Sequence, residues 1–522
     1  MFTTRSALLV LTAIALAACA TLPEKLPRPA PAYAIPARAE SVFAPIEASI
    51  RAHDGADASG FLLLDSNEKG LTWRLALIDS AKHSLDLQYY VWFGDASGTL
   101  LMKRTVQAAD RGVKVRILLD DLNSMLRDMT TPEIRDGLAA AINAHPNIEM
   151  RLFNAWKNRS FVGRGADMIS ESDRLNRRMH NKVMIADNQA VILGGRNIGE
   201  GGRNIGDEYM GLNADFNFHD LDVLGIGPVA RQASMVFDRF WNSEWVVPVS
   251  ALGLPVTKRD LDQLEAPVRA QLAAAKSLAR FPPDPQDWSG VLAQLRDQLQ
   301  SGTSRVHTDT PDHDAVNHHM PAAIRALMNT AQREVLITNA YIIPGEPAIQ
   351  GMSNLHARGV KVRILTNSLA SHDVPAVNSH YKAWRKPILQ TGAELYEIRP
   401  DAKVKALIAD TPPTQSQFMG LHTKAIVIDR TRVFIGSMNL DPRSAEINSE
   451  MGVVVDSPGL AEALAATMER DMGPENSWRV ELDPQGELRW VAGDQVLKSQ
   501  PARGWWQRVE DVVFMAFPKD IY

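Results

Sequence analysis

Apolar runs and amphipathic stretches alternate along the chain from residue 60 onward. Amphipathic stretches at residues 73–82 and 100–111 predict helices, and apolar runs at residues 84–91 and 113–119 predict strands. Strands that alternate with helices are typical of an α/β fold with mixed or parallel sheets.

The two halves of the chain repeat each other. The segment RGVKVRIL occupies residues 111–118 and again residues 358–365. The next shared motif begins 69 residues after the start of the first copy and 64 residues after the start of the second. This spacing indicates a duplicated domain. A chain of 522 residues also exceeds one ordinary core, so we expect two fused lobes.

The motif His-x-Lys-x4-Asp occurs once in each half. Its residues are His180, Lys182 and Asp187 in the first half and His422, Lys424 and Asp429 in the second. Each copy continues as an apolar run, a turn at the Asp and a second apolar run, which predicts a hairpin. Because side chains at i and i+2 share one face of a strand, the His and Lys of each copy point the same way. Two imidazoles and two ammonium groups can therefore converge on one anion.

Each predicted hairpin ends in Gly-[Gly/Ser]-x-Asn. The glycine stands fourteen residues after the motif histidine, and the asparagine, Asn197 or Asn439, follows three residues later. With these residues the chain resembles the phospholipase D superfamily, whose members carry two His-Lys-Asp motifs. The string from His180 through Gly199 is similar to its bacterial cardiolipin synthase branch. The resemblance implies a duplicated α/β fold in which two mixed-sheet lobes pack with pseudo-twofold symmetry around one active site.

These residue types fit covalent catalysis on a phosphodiester. One neutral imidazole attacks phosphorus, and the other, protonated, donates to the departing alcohol oxygen, so that a phosphohistidine forms. The two lysines and the carboxamides of Asn197 and Asn439 neutralise the phosphoryl oxygens, so we expect no metal or other cofactor. The resemblance implies that His180 is the nucleophile. Asp187 and Asp429 stand at turns and are expected to brace the hairpins rather than touch the substrate.

The duplication also assigns a histidine-orienting acid to each half. Asp220 and Glu450 each stand eight residues before a proline, across an apolar strand. Glu208 is an alternative to Asp220, because it follows His180 by 28 residues, as Glu450 follows His422. We favour Asp220 because the strand behind it aligns. The resemblance implies that such an acid sets the tautomer of the imidazole.

A tandem heptad departs from the resembled branch. GGRNIGE at residues 194–200 is followed at once by GGRNIGD at residues 201–207. The first copy keeps the spacing to His180, so we place it in the site. The second copy is expected to lengthen a loop beside the site.

The N-terminus reads as a lipoprotein signal. A short apolar run follows Arg5, and LAAC at residues 16–19 matches the bacterial lipoprotein cleavage box. Cys19 is the sole cysteine, and we expect it to carry the lipid. The alternative is a buried free cysteine behind an uncleaved anchor. Because Ala20 rather than Asp follows, the resemblance to lipoproteins implies the periplasmic face of the outer membrane.

The chain is expected to divide into six segments. They are a signal peptide at residues 1–18, a proline-rich linker at 19–45, an N-terminal lobe at 46–255, a connector at 256–305, a C-terminal lobe at 306–475 and an extension at 476–522. The aromatic and aliphatic residues near the C-terminus predict packing against a lobe, with membrane contact as the alternative.

The function that we expect is phosphatidyl transfer that builds cardiolipin. The substrates would be phospholipids, namely phosphatidylglycerol with phosphatidylethanolamine as an alternative. A net charge of −5 disfavours nucleic acid as the main partner, because phosphate binding usually needs a basic face. The alternatives are a hydrolytic phospholipase D, a secreted nuclease and a non-catalytic lipoprotein that binds phospholipid at the cell envelope.

Overall fold

The computed structural model describes residues 21–22, 28–121, 132–199, 207–312 and 316–516. The predicted signal peptide, Cys19 and residues 200–206 of the tandem heptad lie outside these ranges. Within them, no helix is both long and apolar enough to cross a membrane.

The first lobe contains nine strands within its described residues. They are β1 Ser59–Leu64, β2 Ser84–Tyr89, β3 Lys114–Asp120, β4 Ile148–Phe153, β5 Val183–Ala186, β6 Ala190–Gly194, β7 Phe216–His219, β8 Asp222–Ile226 and β9 Val246–Pro248. The main sheet runs β9-β4-β3-β2-β5-β6-β8-β1. Strands β2, β3 and β4 are parallel, because helices connect them, whereas the remaining pairs are antiparallel.

The second lobe repeats this order. Its strands are β10 Gln300–Thr308, β11 Thr310–Pro311, β12 Val316–Asn317, β13 Glu334–Asn339, β14 Lys361–Asn367, β15 Glu394–Ile398, β16 Phe418–Leu421, β17 Lys424–Ile428, β18 Arg432–Gly436, β19 Met451–Asp456, β20 Ser477–Leu482, β21 Leu488–Ala492 and β22 Gln495–Leu497. The main sheet runs β10-β19-β18-β17-β13-β14-β15-β20-β21-β22. The eight strands of this sheet from β10 to β20 thus each have a counterpart in the main sheet of the first lobe.

The two sheets join into one. Antiparallel pairing of β1 with β10 links them through Gly60 and Ser301, so that a continuous sheet of 18 strands forms. The duplicated mixed-sheet α/β fold predicted from the sequence is confirmed.

Helices cover both lobes. Those of the first lobe and connector are α1 Ala44–Asp54, α2 Asn67–Ser80, α3 Ala96–Asp110, α4 Pro132–Asn143, α5 Phe161–Ser170, α6 Ser172–Asn176, α7 Pro228–Trp241, α8 Lys258–Gln263, α9 Glu265–Ala274 and α10 Ser289–Gln298. Those of the second lobe are α11 Met320–Asn329, α12 Gly345–Ala357, α13 Pro375–Tyr381, α14 Arg385–Gln390, α15 Lys405–Ile408, α16 Pro442–Glu446, α17 Pro458–Met472 and α18 Trp505–Val513. Short 3₁₀ turns lie at Glu208–Met210, Val249–Leu252, Lys276–Leu278, Lys382–Trp384 and Phe514–Ala516.

A shared core holds the lobes together. Val191 and Leu193 of β6 belong to the same buried cluster as Val433 and Ile435 of β18. Helices α7 and α17, which follow the equivalent strands β8 and β19, add buried side chains to this cluster. Burial of apolar surface therefore fixes the lobes against each other, not only within each lobe.

The described part of the predicted linker lies against the first lobe. The backbone N–H of Ala32 donates to Asn242 over 3.0 Å, and that of Ala34 donates to Asp238 over 2.9 Å. The sixfold division of the chain stays a prediction.

Both motif hairpins turn through residues in the left-handed region. Asp187 and Asn188 have φ values of 52° and 55°, and Asp429 and Arg430 have values of 51° and 56°. In the first turn, the Asp187 carboxylate accepts the backbone N–H groups of residues 82–84 over 2.7–3.1 Å. In the second, Asp429 accepts those of residues 332–334 over 2.7–2.9 Å. Each aspartate therefore ties its hairpin to the start of a neighbouring strand, β2 or β13.

We expect Asp187→Ala to lower the free energy of unfolding by about 2–4 kcal/mol, because three backbone N–H groups lose their acceptor. Urea denaturation at pH 7 measures the change. The control is Asp57→Ala, which removes an exposed carboxylate. Equal denaturation midpoints for the two variants would contradict the bracing role.

Candidate active site

The structure brings both motifs to the junction of the lobes. His180 and Lys182 directly precede β5, and His422 and Lys424 stand at the start of β17. Burial and the positive charges of Lys182 and Lys424 together lower the pKa of His180, so Lys424 of the second motif lies within electrostatic reach of the first motif. The convergence expected from the sequence is present in the structure.

Backbone pairing across the lobes holds each histidine. The His180 N–H donates to Ser449 O over 2.9 Å, next to a parallel bridge between Met179 and Ser449. The His422 N–H donates to His219 O over 2.8 Å, at the end of a small parallel sheet formed by β7 and β16. Each imidazole therefore stands beside the other lobe.

The acids cross between the lobes. Nδ1 of His180 lies 2.9 Å from Oε2 of Glu450, and Nδ1 of His422 lies 2.6 Å from Oδ2 of Asp220. The sequence indicates one acid in each half, and the structure pairs each acid with the histidine of the other half. The cause is the backbone pairing, because Ser449 and His219, which bond the histidines, each directly precede an acid. The alternative acid, Glu208, lies in a 3₁₀ turn, and Asp220 is the carboxylate that meets an imidazole.

The second residue of each Gly-[Gly/Ser]-x-Asn segment lies next to the acid of its own half. Ser437 donates its hydroxyl to Oε2 of Glu450 over 2.5 Å. At the equivalent Gly195, a Cβ atom would lie 2.5 Å from Oδ1 of Asp220, so this position has no room for a side chain. The two halves therefore use different residues to pack behind equivalent carboxyl groups.

The two lysines are buried beneath tyrosine rings. Lys182 Nζ donates to His180 O over 2.6 Å and lies 5.1 Å from the ring centre of Tyr90. Lys424 Nζ donates to His422 O and lies 5.9 Å from the ring centre of Tyr341. Burial and mutual repulsion lower the pKa of Lys182 to about 7, and burial lowers that of Lys424 to about 8, although nearby carboxylates oppose both shifts.

Both imidazoles are neutral at pH 7. Burial and the neighbouring lysines lower the pKa of His180 well below its usual value and that of His422 to about 4. The acids differ, however. Burial raises the pKa of Glu450 well above its usual value, whereas His422 and Lys424 outweigh burial and hold the pKa of Asp220 below its usual value. Asp220 is thus ionised, whereas burial favours the protonated form of Glu450.

Both predicted phosphate-binding asparagines are buried. Asn197 and Asn439 are each less than a tenth exposed, and the Oδ1 atom of each is buried without a hydrogen bond in the described part of the chain. The Nδ2 groups are the donors of these carboxamides, so they are the atoms that can bind the oxygens of a phosphoryl group. The motif aspartates, in contrast, stay at the hairpin turns, where they bind backbone N–H groups.

Two further residues hold the site. The sequence allows Asp120 either to face a head group or merely to end its strand, and Asn367 was not identified from it. At the end of β3, Asp120 accepts the N–H of Met179 over 2.8 Å, and Asn367 at the end of β14 accepts that of Leu421 over 2.8 Å. Each thus holds the residue before a motif histidine. The duplication carried this signal, because both stand two positions after the end of the RGVKVRIL segment.

Tyr209 is a further residue that the sequence did not indicate. Its hydroxyl lies 3.3 Å from Nε2 of His422. It follows the second heptad, whose last residue, Asp207, donates its N–H to Asp95 over 2.8 Å. The chain therefore returns to the site directly after the tandem insertion.

A large cavity adjoins the site on the first lobe. It has a volume of about 690 Å³ and extends from Tyr90, whose ring contacts His180 edge-on, to the connector helices α8 and α9. Its lining is mostly apolar and includes Trp92, Val106 and Ile142. Among the described residues, no three His, Cys, Asp or Glu side chains are grouped as metal ligands.

The fold and the paired His–Lys site define an enzyme of the phospholipase D superfamily. A family model described as "Cardiolipin synthase, PLD-like domain" matches residues 75–241 and 324–472. Cardiolipin synthase C of Escherichia coli K12 is 34% identical over 86% of this chain and 93% of its own length. Cardiolipin synthase A of Serratia proteamaculans is 21% identical over 80% of this chain and 70% of its own length.

A solved structure shares the fold. Phosphatidylserine synthase of Haemophilus influenzae superposes with a TM-score of 0.55 at 14% identity, covering 90% of this chain and 99% of its own. The chain belongs to the cardiolipin synthase family of phospholipase D-like enzymes.

We expect kcat/KM for a soluble phosphodiester to fall as the pH rises through about 7 to 8. Since the pKa values of Lys182 and Lys424 lie there, the ammonium charges that attract the phosphodiester are lost over this range. A pH profile with a nitrophenyl phosphodiester measures the effect. In Lys182→Arg, which keeps its charge, the decline should move to higher pH. A wild-type profile that is flat up to pH 10 would contradict the assignment.

Proposed function

We propose that the protein makes cardiolipin by transferring a phosphatidyl group between phospholipids through a phosphohistidine. The carrying observation is the buried pair of imidazoles with two lysines and two carboxamides, beside an apolar cavity. The relation to cardiolipin synthase C over most of the chain supports this choice of reaction. Phosphatidylglycerol is the proposed donor and acceptor, with phosphatidylethanolamine as an alternative.

The reaction has two balanced steps. In the first, the bound anionic phosphodiester favours the protonated form of the imidazole that acts as acid, which takes up a proton from solvent. Nε2 of the other imidazole bonds to phosphorus, the P–O bond to the head-group alcohol breaks, and the protonated imidazole gives its proton to the departing oxygen. In the second, the hydroxyl oxygen of a second lipid bonds to phosphorus, the P–N bond breaks, and the hydroxyl proton passes to the imidazole that acted as acid. Lys182 and Lys424 balance the phosphoryl charge in both steps.

Two observations bear on which histidine attacks. The hydroxyl of Tyr209 lies at Nε2 of His422, while Nε2 of His180 has no hydrogen bond in the described part of the chain. This favours His180 as nucleophile. Ionised Asp220, however, accepts Nδ1–H from His422 and leaves a lone pair on its Nε2, which favours the reverse. We propose His180, with His422 as acid and then base.

Transfer is favoured over the alternatives by the chemistry of the site. Exchange of one phosphodiester for another costs little free energy and requires no nucleotide. The apolar cavity beside His180 fits acyl chains better than the sugars and bases of a nucleic acid, which disfavours a nuclease. A non-catalytic lipid-binding protein has no need for both His–Lys pairs. Hydrolysis remains the closest alternative, since water can replace the lipid hydroxyl.

We propose a lipid-anchored location at the periplasmic face of the outer membrane. The support is the sequence LAAC at residues 16–19 and Ala20 after it. An anchor of this kind would keep the active site near its lipid substrates.

We expect purified protein, with EDTA present, to convert phosphatidylglycerol vesicles to cardiolipin and glycerol. The paired histidines and lysines supply the nucleophile, the acid and the neutralising charge, so chelation should not stop turnover. Mass spectrometry identifies the products. Phosphatidic acid as the sole product would show that the enzyme is a hydrolase and not a transferase. Complete loss of turnover in EDTA, with recovery on adding a divalent ion, would contradict the mechanism.

The roles of the histidines are separated by rapid quench with a labelled nitrophenyl phosphodiester, whose leaving group needs no proton. His422→Ala should still form acid-labile labelled protein, because it retains the nucleophile, whereas His180→Ala should form none. The opposite pattern reverses the roles. Full turnover in both variants would contradict the proposed mechanism.

Cys19→Ser should abolish lipid attachment and accumulate as precursor, because the thiol that receives the lipid is absent. Fatty-acid labelling of cells followed by electrophoresis measures the attachment. Labelling that persists in Cys19→Ser would contradict the proposed anchor.

A further inference from the structure

Helix α18 buries its polar side and exposes its apolar side, which is the reverse of an ordinary surface helix. Its polar residues Gln507 and Asp511 are buried against the second lobe. Its apolar residues face outward, with exposed fractions of 72% for Trp505, 59% for Trp506 and 63% for Val512. We call the outward set, completed by Val509, Val513 and, in the 3₁₀ turn that follows the helix, Met515, the α18 apolar face. The sequence predicted that this segment packs through its apolar residues, but the polar side makes the contacts.

Specific hydrogen bonds fix this orientation. Gln507 Nε2 donates to Leu369 O over 2.5 Å. The Asp511 carboxylate accepts from Asn378 over 2.6 Å and from Lys382 over 2.8 Å. Because these bonds are satisfied and mostly buried, turning the helix to bury its tryptophans would leave several polar groups without partners.

The N-terminal end of α18 is connected to the catalytic site through side chains of the second lobe. Arg503, just before the helix, donates to His372 O over 3.4 Å. The His372 ring stacks on Tyr341 at 5.4 Å, and Tyr341 lies edge-on to the His422 ring at 6.3 Å. Two side chains thus separate the segment that carries the apolar face from a catalytic imidazole.

The chemistry of the face fits a phospholipid surface. Two adjacent tryptophans combine a large apolar area with a ring N–H, a pairing found where proteins meet the membrane interface. The exposed Arg508 on the same helix adds a positive charge that suits anionic head groups, whereas the half-buried Glu510 carries the opposite charge. The two tryptophans are therefore the main support for a lipid surface.

We propose that the α18 apolar face inserts into the surface of a phospholipid bilayer and sets the His422 side of the active site against it. This inference rests on the proposed function, because it concerns how that site reaches its lipid substrate. Contact through α18 is separate from the proposed anchor at Cys19. It positions the catalytic lobe on the membrane, whereas a lipid at Cys19 would only keep the protein nearby.

The test compares two substrates for the full chain and its Trp505→Ser/Trp506→Ser variant. Turnover of phosphatidylglycerol in vesicles should fall about tenfold or more, because the variant loses the area that two indoles bury in the interface. Turnover of a soluble nitrophenyl phosphodiester should not change. Met235→Ser, which removes an exposed apolar side chain from α7, serves as the matched control and should leave both rates unchanged.

Vesicles with bromine-labelled acyl chains give a readout that needs no turnover. They should quench part of the tryptophan emission of the wild type, and that part should disappear in Trp505→Phe/Trp506→Phe, which keeps the apolar face but removes both indoles. Should the enzyme fail to act on any phospholipid, the proposed function fails while this quenching still reports on the surface.

Three outcomes would overturn the inference. One is unchanged vesicle turnover in the serine variant. Another is an equal fall on both substrates, which would mean that α18 only supports the site. The third is a wild-type dimer that becomes monomeric in the serine variant, which would assign the face to a second copy of the chain.

Discussion

The site depends on backbone hydrogen bonds that run between the lobes. His180 is bonded to Ser449, and His422 to His219, so neither histidine is positioned by its own lobe alone. Because Glu450 and Asp220 directly follow these partners, the same pairing that places an imidazole also delivers its carboxyl group. Loss of contact between the lobes would therefore disrupt both histidines at once, which explains why a large apolar core is shared across the junction.

Burial at this junction sets the chemistry of the site. Four basic side chains lie close together with little water, so their pKa values fall and the imidazoles are neutral nucleophiles or bases. The two carboxyl groups respond differently to the same burial, since Asp220 has stronger positive neighbours than Glu450. A duplicated sequence has thus produced a site that is symmetric in position and asymmetric in charge. That asymmetry suits a reaction in which one imidazole attacks and the other transfers a proton.

The surroundings of the site match a lipid substrate on two sides. The first lobe contributes the apolar cavity next to Tyr90, and the second contributes the outward face of α18, linked through Tyr341 to His422. Tyr90 and Tyr341 lie after the equivalent strands β2 and β13 but one position apart in the repeat, since Tyr341 corresponds to Val91, so the lobes have diverged around the site. The duplicated core thus provides the phosphate chemistry, and features unique to each lobe provide the apolar surfaces.

The sequence by itself determined the duplicated α/β fold, both His–Lys pairs, both asparagines and the two acids. Those features follow from strand periodicity and from repeated spacing, which are local properties of the chain. Only the tertiary structure decided that each acid crosses to the other lobe, because His180 and Glu450 are 270 residues apart and no local pattern relates them. The contact between the Tyr209 hydroxyl and His422 was likewise decided only by the folded chain. So was the outward face of α18, because hydrogen bonds from Gln507 and Asp511 to distant residues outweigh the usual burial of apolar side chains.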